Sequence, residues 1–153
     1  MLQIEELTER QPLLSDLLQI WEASVRATHH FLQGPDIVAL RPVVRQALLE
    51  VPQLAIICQG SALAGFVGAG GDKVEMLFLT PAQRGSGLGR ALLQYALEQW
   101  HCDKVDVNEQ NEAAAGFYRH MGFIVIDRSP LDEQGNPFPI LHLQRAPFPD
   151  AQN

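Results

Sequence analysis

The sequence predicts an α/β (α+β) fold, a mixed central sheet of about six to seven strands flanked by about four helices. Three observations carry this expectation. Two helical stretches open the chain. Three β-rich runs then follow one another, separated by glycine turns. From Val74 onward the pattern alternates strand, helix, strand, helix, strand, strand.

Leu14, Leu17, Leu18, Trp21 and Val25 recur at helical spacing, so residues 12–26 read as a first helix, with Pro12 suited to its first turn. Ile37, Leu40, Val44, Ala47 and Leu48 mark a second helical stretch. Pro42 lies inside it and lacks a backbone donor, so a kink or a split is expected there. Residues 27–34 connect the two.

Residues 54–59 and 62–69 are β-rich and are separated by Gly60-Ser61, a two-residue hairpin signal. Gly70-Gly71-Asp72 turns the chain into the strand 74–79. Leu88, Ala91, Leu92, Tyr95 and Ala96 form one face of the next helix, and residues 104–107 the next strand. That strand-helix-strand step makes its two strands parallel, with a right-handed crossover. Asn111 is a good N-cap for a helix over 112–121, and Gly122 suits its end. Residues 123–126 and 140–143 read as the last strands, joined by the turn-rich Asp132-Glu133-Gln134-Gly135-Asn136-Pro137.

At 153 residues the chain is expected to form one domain over 1–146, followed by a loose polar tail over 147–153. A hydrophobic content of 46% with 19% charged residues fits an ordinary soluble globule. The net charge of −7 argues against a nucleic-acid partner; it either favours cationic partners, such as amines, or simply keeps the protein soluble. No apolar run approaches a membrane span, and the N-terminus carries no signal-peptide pattern. Cys58 and Cys102 do not make a disulfide framework, and Cys58 in its apolar run reads as a buried small hydrophobe. A cytoplasmic protein without a metal site, monomer or homodimer, is the expectation.

The most informative stretch is Arg84-Gly85-Ser86-Gly87-Leu88-Gly89-Arg90, at the junction of a strand and a helix. Glycine permits positive φ and close approach of another molecule. The first helical turn offers N–H groups without partners inside the helix. Together they form a phosphate cradle. A P-loop is excluded because no Gly-Lys pair lies here. The dinucleotide fingerprint is met only in part: Gly85 and Gly87 fit and Asp106 lies at a suitable distance, but Arg90 holds the third glycine position.

A third spelling fits throughout. Arg or Gln, two residues, Gly, one residue, then Gly or Ala is met by Arg84, Gly87 and Gly89, and Asn111, Phe117-Tyr118 and Gly122-Phe123 follow in register. In this the chain resembles the GNAT superfamily of N-acetyltransferases over roughly residues 52–128. The Asn108–Glu112 run and Ala27-Thr28-His29 are most similar to the small bacterial YjaB-type members.

The resemblance implies acetyl-CoA as cofactor and a primary amine, on a small molecule or a protein, as acceptor. Attack is then direct in a ternary complex, because the signature holds no acyl-accepting cysteine. The alternative is a GNAT-shaped module that binds acyl-CoA and only senses it. The resemblance also implies two splayed parallel strands at the cofactor site. Backbone groups of Arg84, Gly85, Ser86, Gly87, Leu88, Gly89 and Arg90 would hold the pyrophosphate. Those of Leu77, Phe78 and Leu79 would meet the pantetheine arm, and Asn111 would contact it. The Arg90 side chain either adds a phosphate contact or is an exposed helix residue. Tyr118 would donate a proton to the leaving sulfur, although its place on an apolar helix face also suits a core tyrosine.

An ammonium acceptor must lose a proton. Glu75 is the first candidate base, because alternation puts it on the face of Leu77 and Leu79. Asp106 is the second, and a water relay without a single base the third. His29 and Phe31, with His30 between them, and Asn108 at a strand end are candidates to border the acceptor. The histidines would orient or deprotonate the amine, or simply pack.

Overall fold

The structure, a computed structural model, describes residues 2–28, 32–83, 85–133 and 135–145. It divides into two compact units, Met1–Cys102 and Asp103–Asn153.

In the first unit, β1 (Leu2–Glu6), β2 (Gln53–Gln59), β3 (Ala62–Gly70) and β4 (Lys73–Leu79) pair in sequence order, each antiparallel to the next. β1 is an addition to the sequence reading; its signal is the short alternation Leu2-Gln3-Ile4-Glu5, completed by pairing with β2. Gln59 faces Ala62 across Gly60-Ser61, and Gly60 takes a φ of 64°, as a two-residue hairpin turn needs.

A 3₁₀ turn containing Pro12 leads into α1 (Leu14–Thr28), and α2 spans Gly34–Glu50. The Gln33 backbone N–H opens α2 by donating to Asp36 Oδ2 at 2.8 Å. Of the kink or split expected at Pro42, the split is absent: α2 runs through Pro42 as one helix. Pro42 lies on the exposed side, and Val38, whose carbonyl loses its helical donor, is 67% exposed, so water can replace the missing bond. No basic residue lies in the last turn of α2. Arg10 serves instead, its Nη1 donating to the carbonyls of Leu48 at 3.0 Å, Leu49 at 3.3 Å and also Val51.

One face of this sheet packs against α1 and α2 through Leu14, Leu17, Trp21, Leu48, Leu54 and Phe66. Cys58 is only partly buried at the margin of that core, not enclosed as expected. Alternation sends Ala55, Ile57 and Val67 to the other face, where α3 (Leu88–Gln99) packs with Leu92, Leu93 and Ala96. Tyr95 on α3 donates to Glu6 on β1 at 2.5 Å, and that bond raises its phenol pKa to about 12.

The second unit contains β5 (Lys104–Asn108), α4 (Glu112–His120), β6 (Phe123–Ser129) and β7 (Ile140–Arg145). β7 lies between β5 and β6 and is antiparallel to both. Val105, Val107, Leu141 and Leu143 are buried, while Asp106, Asn108, Ile140 and His142 alternate onto the half-exposed face. Asn111 caps α4, its side chain accepting from Ala114 N at 3.2 Å, and Gly122 ends it with a φ of 96°.

Candidate active site

Within the first unit, β4 leads through a 3₁₀ turn, Pro81–Gln83, to the glycine loop and α3. Gly85 and Gly87 have φ of 80° and 88°, and Gly87 is the N-cap of α3 with no side chain bonded over the helix end. A Cβ added to either glycine would meet nothing within 4 Å. The space beside the loop is therefore open, and the first turn of α3 is uncovered by any capping side chain. The exposed Ser86 commits its hydroxyl to the Gln83 carbonyl, while the Leu88 side chain is 1% exposed and anchors the helix start in the core. At Gly85 and Gly87 the loop presents backbone rather than side chains. Pyrophosphate suits such a site, since helix N-termini attract anions and glycines let them approach. Arg90 lies exposed in the same first turn. Cys102, beyond the far end of this 12-residue helix, is buried about 18 Å along its axis from the loop.

Leu77 and Leu79 are half-buried on β4, facing Val67 and Gly65 on β3, and the ring of Phe78 packs on Phe66 at 5.7 Å. Glu75 departs from the sequence argument. Val74 faces Ala69 and Met76 faces Gly68, so Glu75 is the extra residue of a β-bulge. The bulge breaks the alternation that was to place it with Leu77 and Leu79. A Cβ at Gly70 would meet Pro52 at 3.4 Å and Glu75 Oε1 at 3.9 Å, so the exposed carboxylate reaches toward the Gly70–Pro52 rim.

In the second unit, Tyr118 is 6% exposed, with its ring edge-on to Phe117 at 5.2 Å and Phe123 at 5.7 Å. Both sequence readings of it are thus physically joined, because a core tyrosine also carries the hydroxyl. Among the described residues that hydroxyl has no hydrogen-bond partner. Burial pushes its pKa far above the ordinary phenol value, so the simple match of phenol to aqueous thiol does not hold. Asn111 is 8% exposed, its carbonyl accepting from Ala115 N at 3.1 Å beside the side-chain cap. Asn108 Oδ1 accepts from Gln110 N at 3.0 Å, which commits one side-chain acceptor to the turn after β5.

Asp106, the second candidate base, does not stand alone on its strand. Its Oδ1 lies 2.7 Å from His142 Nδ1, and His142 Nε2 lies 2.6 Å from Ser129 Oγ. Sequence reasoning passed over His142 and Ser129. Each is an unremarkable residue in a short alternating strand, and only the β5–β7–β6 pairing brings them together. His29, His30, Phe31 and Arg84 lie outside the described residues, as does the tail over 147–153. Among the described residues no group of three or more His, Cys, Asp or Glu is arranged to hold a metal, and no helix is long and apolar enough to cross a membrane.

The sequence profile of the acetyltransferase (GNAT) domain matches residues 52–125. The chain is 40% identical over 128 residues to the peptidyl-lysine N-acetyltransferase YjaB of Escherichia coli (strain K12), covering 84% of this chain and 87% of that protein. The chain belongs to the GNAT acetyltransferase family. It is an acetyl-CoA-dependent N-acetyltransferase.

The GNAT fold extends over the chain. The solution structure of apo YjaB from Escherichia coli matches it with a TM-score of 0.85 at 36% identity, covering 97% of this chain and 99% of that one. The peptidyl-lysine N-acetyltransferase YiaC of Escherichia coli (strain K12) is 29% identical over 125 residues, 81% of this chain and 86% of that protein. A PaiA N-acetyltransferase from Thermoplasma acidophilum, solved in complex with coenzyme A, shares the fold at 18% identity and a TM-score of 0.69, with 94% of this chain and 99% of that one covered.

Proposed function

We propose that this GNAT enzyme acetylates lysine side chains of proteins or peptides, by direct attack of the amine on acetyl-CoA in a ternary complex. The observation that carries the donor side is the uncovered N-terminus of α3 behind Gly85 and Gly87, both at positive φ and both open to space. The acceptor class is supported by relatives named as peptidyl-lysine N-acetyltransferases at 40% and 39% identity. We read residues 1–146 as one catalytic domain, because the family motif is split between both units and the YjaB structure matches across both. We place its action in the cytoplasm, where reduced thiols such as the unbridged Cys58 and Cys102 persist.

Acetyl-CoA supplies a thioester carbonyl open to attack by an amine. The loop from Arg84 to Arg90 would bind its pyrophosphate through backbone N–H groups, with Arg90 adding charge. The backbone of Leu77, Phe78 and Leu79 would orient the pantetheine arm, and Asn111 would contact it beside its capping role.

An acceptor lysine has a pKa near 10 and arrives as ammonium. Glu75 is our first choice to take that proton. It is exposed, so it can pass the proton to water, and bulges commonly re-aim a side chain beside an active site. Asp106 is the alternative, already engaged with His142. Tyr118 holds its proton because of burial and gives it to the leaving sulfur. A thiol buried beside it is raised by the same desolvation, so donor and acceptor stay matched where both are dry. His29, Phe31 and Asn108 remain our candidates to border the lysine, and the enzyme acts as a monomer or homodimer.

The test is coenzyme A release with a lysine-containing peptide, the same peptide with lysine replaced by arginine, and a polyamine. Turnover confined to the lysine peptide is expected. Turnover with the polyamine alone would overturn the acceptor class.

A further inference from the structure

The acetyl-transfer scheme uses Asp106 only as an alternative base and gives no role to His142 or Ser129, which are hydrogen-bonded to it in a chain. Asp106 lies on β5, His142 directly opposite it on β7, and Ser129 at the end of β6. Three adjacent strands therefore present the three side chains on one half-exposed face. The side chains of His142 and Asp106 are 29% and 23% exposed, enough to be reached yet shielded enough to hold their bonds.

The proton order follows from the donors. A carboxylate accepts and cannot donate, so Nδ1 of His142 carries the proton given to Asp106. In the neutral ring Nε2 is then a bare acceptor, and at 2.6 Å the Ser129 hydroxyl donates to it. Asp orients His, and His draws the proton from Ser. These are the parts of a nucleophilic triad, which is recognised by geometry and roles rather than by chain order.

We propose that Ser129, His142 and Asp106 form a second acyl-handling centre, with Ser129 as nucleophile toward activated short acyl groups. Ser129 Oγ bonds to the acyl carbon while its proton passes to Nε2 of His142. The bond from that carbon to the leaving aryloxide or thiolate breaks, and the leaving group takes the proton from His142. Water then attacks the acyl-serine, His142 receives its proton, and the serine oxygen leaves with that proton, releasing the acid. Ser129 ends β6 rather than standing on a strand-to-helix elbow with a built oxyanion site. The missing oxyanion site slows both half-reactions, but an aryl ester has a far better leaving group than the alkyl ester of acyl-serine, so acylation outruns hydrolysis and the acyl-serine accumulates.

The full chain would be mixed with p-nitrophenyl acetate, and separately with acetyl-CoA without amine. Intact mass and peptide mapping read the product. The expected result is one acetyl group on Ser129 with a matching burst of p-nitrophenolate. Labelling from the aryl ester alone assigns the centre to esters, and labelling from acetyl-CoA as well extends it to thioesters. His142→Gln should slow labelling of Ser129 by roughly 100-fold, the usual worth of a positioned base. Ser129→Cys provides a second readout, because its thiol should be alkylated by iodoacetamide faster with His142 present than in the double variant with His142→Gln. A wild-type Ser129 peptide that stays unlabelled by both donors would overturn the proposal. So would equal labelling or alkylation rates with and without His142 in folded proteins. Neither arm requires an amine, so failure here is distinct from failure of lysine acetylation.

Discussion

Gly65→Ala tests how closely β3 supports the cofactor strand. Gly65 pairs with Leu79, at the end of β4. An added Cβ would lie 2.6 Å from the Phe78 carbonyl oxygen, 2.6 Å from Leu79 Cδ2 and 3.3 Å from Leu79 Cα. The leucine methyl can swing aside, but the carbonyl belongs to the backbone and can move only with the strand. Restoring an ordinary carbon–oxygen contact of about 3.3 Å requires a shift of about 0.7 Å. Overpacking of this kind costs about 1–3 kcal/mol. For a chain of this length that is roughly 3–10 °C in Tm. The same shift moves the backbone proposed to orient the pantetheine arm, so acetyl-CoA affinity should fall by about tenfold, or 1.4 kcal/mol. Urea unfolding gives the first number and titration calorimetry the second. Gly68→Ala on the same strand is the control. Its Cβ would meet the tip of Met76 at 2.9 Å and Val51 at 3.5 Å, and a flexible thioether end can yield. It should cost about 1 kcal/mol or less and leave affinity unchanged. If Gly65→Ala were as mild as Gly68→Ala in both assays, the rigidity assigned to the Phe78–Leu79 backbone would be wrong.

Tyr118→Phe keeps the ring between Phe117 and Phe123 and removes only the hydroxyl, so stability should hold while kcat drops roughly 100-fold with acetyl-CoA affinity intact; full turnover would make Tyr118 a core residue only. Gly87→Ala at a φ of 88° should cost about 1–2 kcal/mol and weaken acetyl-CoA binding, whereas Gly116→Ala, exposed inside α4 with nothing within 4 Å, should gain about 0.5–1 kcal/mol. Thermal melts of the pair check both signs, and equal melting points would refute the conformational argument. Arg10→Met, which uncovers the last carbonyls of α2, should lose about 1–2 kcal/mol in urea unfolding, and no loss would show that water caps that helix equally well. Tyr95 and Tyr118 both have phenols raised above the unfolded value near 10, so the folded state holds these protons more tightly. The contribution of Tyr95 to stability is full below pH 10 and is lost as pH rises from 10 through about 12, while that of Tyr118, raised further by burial, goes on being lost at still higher pH. Urea midpoints at pH 9 and 11.5 should fall less in Tyr95→Phe than in the wild type; an equal fall would remove Tyr95 from the account.

The glycine loop and its helix were legible in the sequence because their signals are local. Positive φ at Gly85 and Gly87 demands glycine, and a helix start follows from spacing that any 12-residue window displays. Asn111 and Gly122 were readable for the same reason, as a cap and a stop that act within one turn. β1 was missed because five residues of weak alternation mean little until β2 pairs with them. No split occurs at Pro42 because the cost of a proline depends on whether water reaches the freed carbonyl, which is a matter of exposure.

The sequence by itself thus determined the family, the donor cofactor and the conformation of the glycine loop, since these rest on contiguous residues whose conformation is set by their own chemistry. Only the tertiary structure decided what Glu75, Tyr118 and Asp106 are. A one-residue bulge against β3 re-aims Glu75, enclosure by Phe117 and Phe123 raises the pKa of Tyr118, and strand pairing across 36 residues joins Asp106 to His142. Register, burial and long-range pairing are properties of the folded chain as a whole, and no local pattern of residues encodes them.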